Sequence, residues 1–434
     1  MYEVVSFPRY ERYKDSGVEW LGQIPEHWET LRTKNIFRLI TEAAPKNNDE
    51  ELLSVYSDIG VKPRRELEER GNKASTTDGY WIVKKGDVIV NKLLAWMGAI
   101  GISDYDGVTS PAYDVLRAYK PIDSKYYHYL FRSPICLSKL KQHSRGIMEM
   151  RLRLYFDEFG RIRLPYPPFE IQKRIVEFLD RKCGEIEDAI AHKKRLIELL
   201  EEQKTILINQ AVTKGLDPNA PMKDSGIEWI GEIPTHWEVK KLKRISPCIT
   251  VGIVITPSKY YVEEGVICLR SLNIKPNKIL VKDSVYISER SNKYLSKSKI
   301  FAGDIVCVRT GQPGVSAVVD RRFDGANCID LIIIRKPKND LPKFVSLAMN
   351  SEVCRSQYLT GASGAIQQHF NIEMAQNLVI AIPPLPEQIK IYNHISKIQK
   401  NTMDLMNFIK REIDLMNELK QILIAEAVTG KIKI

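Results

Sequence analysis

Residues 14–29 read KDSGVEWLGQIPEHWE, and residues 223–238 read KDSGIEWIGEIPTHWE. Twelve of the sixteen positions are identical at an offset of 209 residues, which is close to half of this 434-residue chain. Self-similarity over such a distance indicates that the chain was built twice from one structural unit. The sequence therefore predicts an internal repeat, with one arrangement of strands and helices present in two copies.

Shorter motifs recur in the same order in both copies. GDVI at 86–89 returns as GDIV at 303–306, and the Pro-Pro pair at 167–168 returns at 383–384. Between these anchors the copies diverge: NKLLAWMGAIG, which starts at Asn91, stands where the second copy has VRTGQPGVSAV. Two interpretations stay open, namely duplication followed by neutral drift, and two related domains that recognise different things.

Composition excludes several classes of protein. No run of about 18 apolar residues occurs, so we expect no transmembrane helix. The charged first residues lack the apolar core of a signal peptide, and the seven cysteines are odd in number without a CxxC pair. We therefore expect a cytoplasmic protein with reduced thiols and without a metal site. A net charge of +11 is compatible with a polyanionic partner.

Two long helices are predicted, each beginning after a Pro-Pro pair. Residues 169–213 contain no proline and a single glycine, and each segment ends near a glycine suited to a helix C-terminus. About 43 residues make a helix of roughly 65 Å. Their apolar positions follow a heptad seam, which comprises Ile175, Leu179, Ile186, Leu196, Leu200, Leu207, Ile391, Ile395, Leu405, Met416 and Leu423.

We expect the two helices to pack on each other as an antiparallel coiled coil, with the two copies related by a pseudo-two-fold axis. Polar seam residues such as Lys182, Lys193 and Glu412 would then set the register. The alternative is that each helix packs only on its own globular segment.

The segments before the helices predict an α+β fold. Short β-branched runs bounded by Gly-Asp, Asp-Gly and proline occur at 81–90, 299–311 and 328–337, and helical stretches are expected at 124–141 and 342–357. The predicted domains are residues 1–168 (domain 1) and 214–384 (domain 2), with the long helices at 169–213 and 385–430.

These motifs together resemble the specificity (S) subunit of a Type I DNA restriction–modification system. The resemblance covers essentially the whole chain. It rests on WxGxIPxHWE at 20–29 and 229–238, the two Gly-Asp strands, PPFEIQKRI and PPLPEQIKI before the helices, and QAVTKG and EAVTGK at their ends. Each motif alone is weak, but their duplication in order at matching spacing is specific.

The resemblance implies a DNA-binding protein with two target-recognition domains, each reading one half of a bipartite DNA sequence. The helix pair would set the gap and dock two methyltransferase (M) subunits, which in turn support restriction (R) subunits. This chain would be non-catalytic and bind no cofactor, with S-adenosylmethionine for DNA methylation and ATP with Mg on the partner subunits.

The motifs of catalysis are missing from the sequence. It contains no GxxxxGK[ST] phosphate loop and no GxSxG nucleophile turn. Tyr166-Pro167-Pro168-Phe169 lacks the amide or acid of the methyltransferase tetrapeptide N/D-P-P-Y/F. Two rival functions remain: a coiled-coil adaptor without base specificity, and a nucleic-acid-modifying enzyme with an unrecognised site.

Base readout requires polar side chains at base edges, on loops that differ between the two domains. Two loops in each domain fit: the one after the Gly-Asp strand and the one before the long helix. The candidates are Asn91, Lys92, Trp96, Arg145, Arg151 and Arg153 in domain 1, and Arg309, Thr310, Gln312, Gln367, Gln368 and His369 in domain 2. The alternative for each is a surface charge or a phosphate contact.

The repeated Trp20, His27 and Trp28, with their copies Trp229, His236 and Trp237, cannot distinguish two half-sites. We expect them in the domain core or on a surface that docks M subunits, with the core favoured for the tryptophans.

Overall fold

The computed structural model describes residues 7–66, 76–147, 152–359 and 369–434. The chain divides into two compact units. The first unit comprises Met1–Lys194 with Lys410–Ile434, and the second comprises Arg195–Ile409. Each unit therefore contains one globular domain together with a part of each long helix.

Domain 1 consists of short strands and three helices that precede the first long helix. The strands are β1 (Tyr13–Asp15), β2 (Gln23–Pro25), β3 (Glu29–Arg32), β4 (Phe37–Ile40), β5 (Leu53–Tyr56), β6 (Gly60–Pro63), β7 (Trp81–Val83), β8 (Val88–Asn91), β9 (Ile100–Ile102), β10 (Gly107–Thr109), β11 (Tyr113–Ala118) and β12 (Arg163–Tyr166). The helices are α1 (Ser124–Arg132), α2 (Pro134–Gln142), α3 (Phe156–Phe159) and the long α4 (Phe169–Lys214).

Domain 2 repeats this order with additional strands. The strands are β13 (Met222–Asp224), β14 (Glu232–Pro234), β15 (Glu238–Lys241), β16 (Ile249–Val251), β17 (Tyr261–Val262), β18 (Val266–Leu269), β19 (Ile274–Lys275), β20 (Lys278–Ile279), β21 (Val285–Ile287), β22 (Ile305–Val308), β23 (Ser316–Val318), β24 (Asn327–Cys328), β25 (Leu331–Ile334) and β26 (Val379–Ile382). The helices are α5 (Leu242–Ile245), α6 (Glu289–Tyr294), α7 (Pro342–Met349), α8 (Glu352–Leu359), α9 (Ile372–Asn377) and the long α10 (Leu385–Val428).

The central sheet has the same topology in both domains. Four antiparallel strands in the order β4-β11-β8-β9 correspond to β16-β25-β22-β23. The pair β3-β12 likewise corresponds to β15-β26. Domain 2 adds a second four-stranded sheet, β17-β21-β18-β24, whereas domain 1 has only the pairs β5-β6 and β7-β10 in the described part of that region. The predicted α+β fold with an internal repeat is confirmed.

The repeated Gly-Asp motif forms the turn that leads into a central strand. Gly86 has a φ of +93°, a conformation that favours glycine, and Asp87 is buried. Arg117 donates two hydrogen bonds to the Asp87 carboxylate, at 2.8 and 2.7 Å. In domain 2, Asp304 is buried and accepts a 2.7 Å bond from Arg335. A buried carboxylate must be paired, so the aspartate and its arginine partner stabilise the central sheet of each domain.

The tryptophan motif belongs mainly to the core. Trp28 and Trp237 are fully buried, as the sequence predicts, and Trp20 is partly buried against the core of domain 1. The core prediction is wrong for Trp229, whose side chain is 42% exposed. The glycines at the ends of the long helices lie against this motif: a Cβ atom on Gly215 would meet the Trp237 ring at 3.2 Å.

A buried glutamine fixes the first turn of each long helix. Gln172 accepts a hydrogen bond from the Asp123 backbone N–H at 2.9 Å and donates one to the Pro167 carbonyl at 2.8 Å. Gln388 makes the same two bonds in domain 2, with the Leu341 N–H at 2.8 Å and the Pro383 carbonyl at 2.9 Å. The motif before each helix therefore anchors that helix to its own domain.

The long helices pack on each other within the first unit. Ile175 and Leu179 of α4 share a hydrophobic core with Leu423 and Val428 of α10. Further along α4, the Lys193 ammonium lies 2.8 Å from the carboxylate of Glu412, which is earlier in α10. Contacts that advance along one helix while receding along the other establish an antiparallel pair, as predicted.

The second unit contains the complementary ends. Ala211 and Val212 of α4 share a core with Ile391 and Ile395 of α10 and with domain 2. The helices thus pack both on each other and on the globular domains, so the alternative interpretation describes part of the same packing. No helix in the described residues is long and apolar enough to span a membrane.

The predicted seam residues are buried near the helix ends, whereas two of them in the middle are exposed. Leu196 and Leu405 are 44% and 45% exposed, whereas Met406 and Ile409 are buried. A heptad repeat lags a straight helix by about 20° per heptad, so the error accumulates over several turns. The less exposed face instead follows an eleven-residue spacing. It includes Ile175, Ile186, Ile197 and Ile208 on α4, and Ile391, Thr402, Ile413 and Ile424 on α10.

The remaining predicted seam residues are partly or fully buried. Ile186, Leu200, Leu207 and Met416 are partly buried, and Leu423 is buried. Of the polar seam residues, Lys182 pairs with Glu185 on its own helix.

Candidate nucleic-acid interface

The two predicted reading loops lie side by side in each domain. In domain 1, the backbone N–H of Leu154 donates to the Lys92 carbonyl at 2.8 Å. In domain 2, the N–H of Phe370 donates to the Arg309 carbonyl at 2.9 Å. One main-chain bond therefore joins the loop after the Gly-Asp strand to the loop before the long helix. Candidates from distant parts of the sequence meet on one surface of each domain.

The cation that follows the central strand is ion-paired in both domains. The Lys92 ammonium lies 3.2 Å from the Asp114 carboxylate, and the Arg309 guanidinium lies 2.9 Å from Asp330. Burial raises the pKa of Asp114, and the adjacent Lys92 opposes that rise. The cation is therefore held by an aspartate in both domains, although the two aspartates differ in position: Asp114 lies within β11, opposite Val90, whereas Asp330 precedes β25.

Asn91 is placed differently from the prediction. Its side chain is only 8% exposed, and its Oδ1 atom accepts a hydrogen bond from the Leu93 backbone N–H at 3.1 Å. Its carbonyl accepts a second bond, from the Leu94 N–H at 3.0 Å. An amide that is buried and used in this way shapes the loop and presents no edge to a ligand.

Trp96 lies on a single 3₁₀ turn, Ala95–Met97, beside the end of α2. Its indole N–H donates to the Leu93 carbonyl at 3.1 Å, and the Lys141 ammonium lies 4.8 Å from the centre of its ring. The ring therefore holds the loop and a cation together, an arrangement favoured by the quadrupole of the indole.

Arg145 and Arg153 face each other across the second loop. Each backbone N–H donates to the carbonyl of the other residue at 2.9 Å. The Arg145 guanidinium pairs with Glu158 and lies 3.5 Å from Asp157, and Arg153 is exposed. Arg151 lies outside the described residues.

Domain 2 brings three polar residues together at the equivalent place. The Thr310 hydroxyl lies 2.9 Å from the Nδ1 atom of His369 and 3.5 Å from an oxygen of Asp330. Gln312 is exposed two residues further along the same loop. Gln367 and Gln368 lie outside the described residues. A hydroxyl, an imidazole and an amide offer both donors and acceptors, as base edges require.

Sequence analysis overlooked the apolar residues of these surfaces. Leu93, Leu94 and Met97 in domain 1 are 41%, 44% and 52% exposed, and Ile255 in domain 2 is 79% exposed. In the sequence such residues are indistinguishable from core positions. The repeat itself could have revealed them: at an offset of 217, Leu93, Leu94 and Met97 align with Thr310, Gly311 and Gly314, which are not large apolar residues.

Ile255 precedes a strained residue. Thr256 has a φ of +42°, which is unusual for a β-branched side chain. The preceding loop is held near the polar cluster because the N–H of Asp330 donates to the Ile253 carbonyl at 3.1 Å. In the described part of either domain, no three His, Cys, Asp or Glu side chains are grouped so that they could hold a metal ion.

Comparisons with known proteins match most of this chain to one family of proteins. The family model of the Type I restriction modification DNA specificity domain matches twice, at residues 25–202 and 234–415. The MjaVIII specificity subunit of Methanocaldococcus jannaschii, a type I restriction enzyme component, is 24% identical over 99% of this chain and 98% of its own length. The EcoKI specificity subunit of Escherichia coli K12 is 20% identical over 95% and 90%.

Solved structures share the fold. A chain from work on complex assembly and conformational transition of the type I R-M system matches with a TM-score of 0.69 at 16% identity, covering 93% of this chain and 98% of that one. The HsdS subunit from Thermoanaerobacter tengcongensis matches with a TM-score of 0.56 at 16% identity, covering 94% and 98%. With the family model matched in both copies, this chain belongs to the Type I restriction modification DNA specificity domain family.

Proposed function

We propose that this chain is the sequence-reading subunit of a Type I restriction–modification complex, and that each domain reads one half of a bipartite DNA target. The observation that carries the proposal is that the two domains share one central sheet but expose different side chains on the loops that leave it. Main-chain bonds from Leu154 to Lys92 and from Phe370 to Arg309 place the loops equivalently, while the exposed side chains on the loops differ. Equal placement and unequal chemistry are what two half-sites of different sequence require.

The antiparallel helices serve as the spacer between half-sites and as the docking region for two methyltransferase subunits. Support comes from large apolar side chains that α10 leaves exposed in each unit. They are Met403, Leu405 and Phe408 in the second unit, and Leu415, Leu419 and Ile422 in the first. Exposed apolar surface of this extent is typical of protein–protein contact.

The chain itself performs no catalysis under this proposal, and it binds no cofactor. Methyl transfer from S-adenosylmethionine belongs to the M subunits, and ATP with Mg belongs to the R subunits. Turnover by the purified chain alone would contradict this assignment and favour the rival in which the chain is a modifying enzyme.

Methylome sequencing of the source cell tests the central claim. We expect methyl-adenine within a bipartite motif of two short specified blocks around a fixed gap, and we expect deletion of this gene to erase that motif. An unchanged methylome would reject the proposal. Binding without sequence preference, even with M subunits present, would favour the adaptor.

Exchange of residues 143–156 for residues 362–374 tests the assignment of the second loop. We expect the exchange to change one half-site and leave the other intact. Insertion of residues into α4 and α10 together is expected to change the gap, and a fixed gap would mean that the helices are not the ruler.

A further inference from the structure

The loop of domain 1 that follows β8 is apolar and held in a fixed shape. Leu94 N–H donates to the Asn91 carbonyl at 3.0 Å, and Met97 N–H donates to the Leu94 carbonyl at 2.9 Å. The loop closes at Gly98, whose φ of +98° favours glycine. A Cβ atom there would lie 3.2 Å from the Ser57 carbonyl oxygen. The three exposed apolar side chains of this loop, Leu93, Leu94 and Met97, form what we name the apolar loop.

The apolar loop is not repeated in domain 2. Its three residues stand where domain 2 has Thr310, Gly311 and Gly314, although a cation paired with an aspartate flanks the loop in both domains. A surface that docked the same kind of partner subunit on each domain would be present twice. The apolar loop therefore belongs with the features that distinguish the two domains.

Basic residues border the apolar loop. Lys141 lies over the Trp96 ring, and Arg153 is exposed on the adjoining loop that Leu154 joins to Lys92. Arg145 on the same loop is already paired with Glu158. Cations that flank a contact surface complement DNA phosphates on either side of the base that is read. Charge thus favours DNA as the occupant of this surface.

Leucine and methionine side chains carry no hydrogen-bond donor, and the methionine sulfur is only a weak acceptor, so they are poorly suited to phosphates and the polar base edges. The apolar group that a major groove presents is the C5 methyl of thymine. The three side chains are about half covered by their own loop, whereas Ile147 is fully exposed and Ile255 is 79% exposed. Half-covered side chains protrude less than Ile147 or Ile255, which suits contact with a methyl group better than insertion between stacked bases.

We propose that domain 1 reads a thymine of its half-site through the C5 methyl group, packed against Leu93, Leu94 and Met97. This inference rests on the proposed function, because it requires that domain 1 reads DNA. It assigns direct apolar readout to domain 1, while hydroxyl, imidazole and amide groups occupy the equivalent surface of domain 2.

The test uses the full chain with its methyltransferase subunits and a duplex that carries the methylome motif. Each thymine is replaced singly by deoxyuridine, which removes only the methyl group, and the Kd is measured by fluorescence anisotropy. We expect at least one replacement to weaken binding about fourfold, the equivalent of ~0.8 kcal/mol for one buried methyl-sized group.

The variant Leu93→Ala/Leu94→Ala/Met97→Ala is expected to bind the thymine duplex and the deoxyuridine duplex equally well, so that the ratio of the two Kd values is near one. Ile255→Ala is the matched control, since it removes an exposed apolar side chain from domain 2 and should keep the fourfold ratio. Leu94→Met is the conservative variant and should also keep it. Thermal unfolding of each variant checks that the fold is intact.

Four results would overturn the inference. They are half-sites without thymine in either strand, no uracil effect at any position, an effect that the triple variant retains, and failure of the triple variant to assemble with its partners. The last result would assign the apolar loop to protein docking. If the wild-type complex instead fails to prefer the motif over a scrambled duplex, the proposed function itself fails.

Discussion

Domain 1 and domain 2 differ most where they are placed most alike. Lys92 and Arg309 follow equivalent strands, each pair with an aspartate, and accept equivalent backbone hydrogen bonds from the second loop. Directly beyond them, domain 1 exposes Leu93 and Leu94, whereas domain 2 presents Thr310. The frame of the domain and the chemistry of its loops are therefore separable properties of one sequence.

Replacement of a buried tryptophan of the repeated motif is expected to lower the free energy of unfolding the most. Trp28→Ala or Trp237→Ala removes a fully buried ring and should lower the free energy of unfolding by about 3–5 kcal/mol. Urea titration followed by circular dichroism measures the loss. Trp229→Ala is the control, with an expected loss under about 1 kcal/mol because that ring is partly exposed. Unequal losses of unfolding free energy at Trp28 and Trp237 would mean that the two tryptophans do not stabilise their domains equally.

The buried glutamines should matter to a similar degree in both domains. Gln172→Ala leaves the Asp123 N–H and the Pro167 carbonyl without their partner, at a cost of about 1–3 kcal/mol. Gln388→Ala should cost a similar amount. Urea titration of both variants measures the two losses, and Gln203→Ala on the exposed side of α4 is the control. A loss at one glutamine alone would contradict the equivalence of the two anchors.

Lowering the pH should destabilise domain 1 more than domain 2, by less than a tryptophan replacement does. Burial, with a contribution from Arg132, lowers the pKa of His128 from 6.5 to about 4, and the equivalent position of domain 2 holds Ser346. His128 is neutral in the folded protein, so its contribution is present above pH 6.5 and is lost as the pH falls from 6.5 toward 4. Between pH 7.5 and 5 the loss is about 2 kcal/mol.

The variant His128→Asn should lose that part of the pH dependence, because asparagine does not titrate. Thermal unfolding at pH 7.5 and pH 5 measures it, with wild-type protein as the reference. An equal decline in the variant would show that other groups account for the acid sensitivity of domain 1.

The smallest expected effect concerns a single base position. Gln312→Ala in domain 2 should reduce discrimination at one position of that domain's half-site by about 1 kcal/mol, the lower end of the range for a side-chain contact to a base. Competition binding with singly substituted duplexes measures it. Gln203→Ala should change nothing, and relaxed specificity in the other half-site would contradict the assignment of Gln312 to domain 2.

Much of the fold follows from the sequence because its signals are local or repeated. Proline pairs mark the helix starts, Gly-Asp marks a turn, and duplication makes each weak motif count twice. The seam failed in the middle because an assumed repeat of seven drifts from the true helical period, which exposes Leu196 and Leu405. The predicted site was less accessible to sequence reasoning, since the pairing of Lys92 with Asp114 and the burial of Asn91 depend on contacts between distant segments. Which candidate residues contact bases stays a prediction.

One bond that joins the two loops in each domain consists only of main-chain atoms, from Leu154 to Lys92 and from Phe370 to Arg309. A restraint of this kind places no demand on the identity of any side chain. Point substitutions can therefore change what the loops expose while the loops stay in position. A lineage under pressure to alter its recognition sequence gains new specificities in this way without passing through unfolded intermediates.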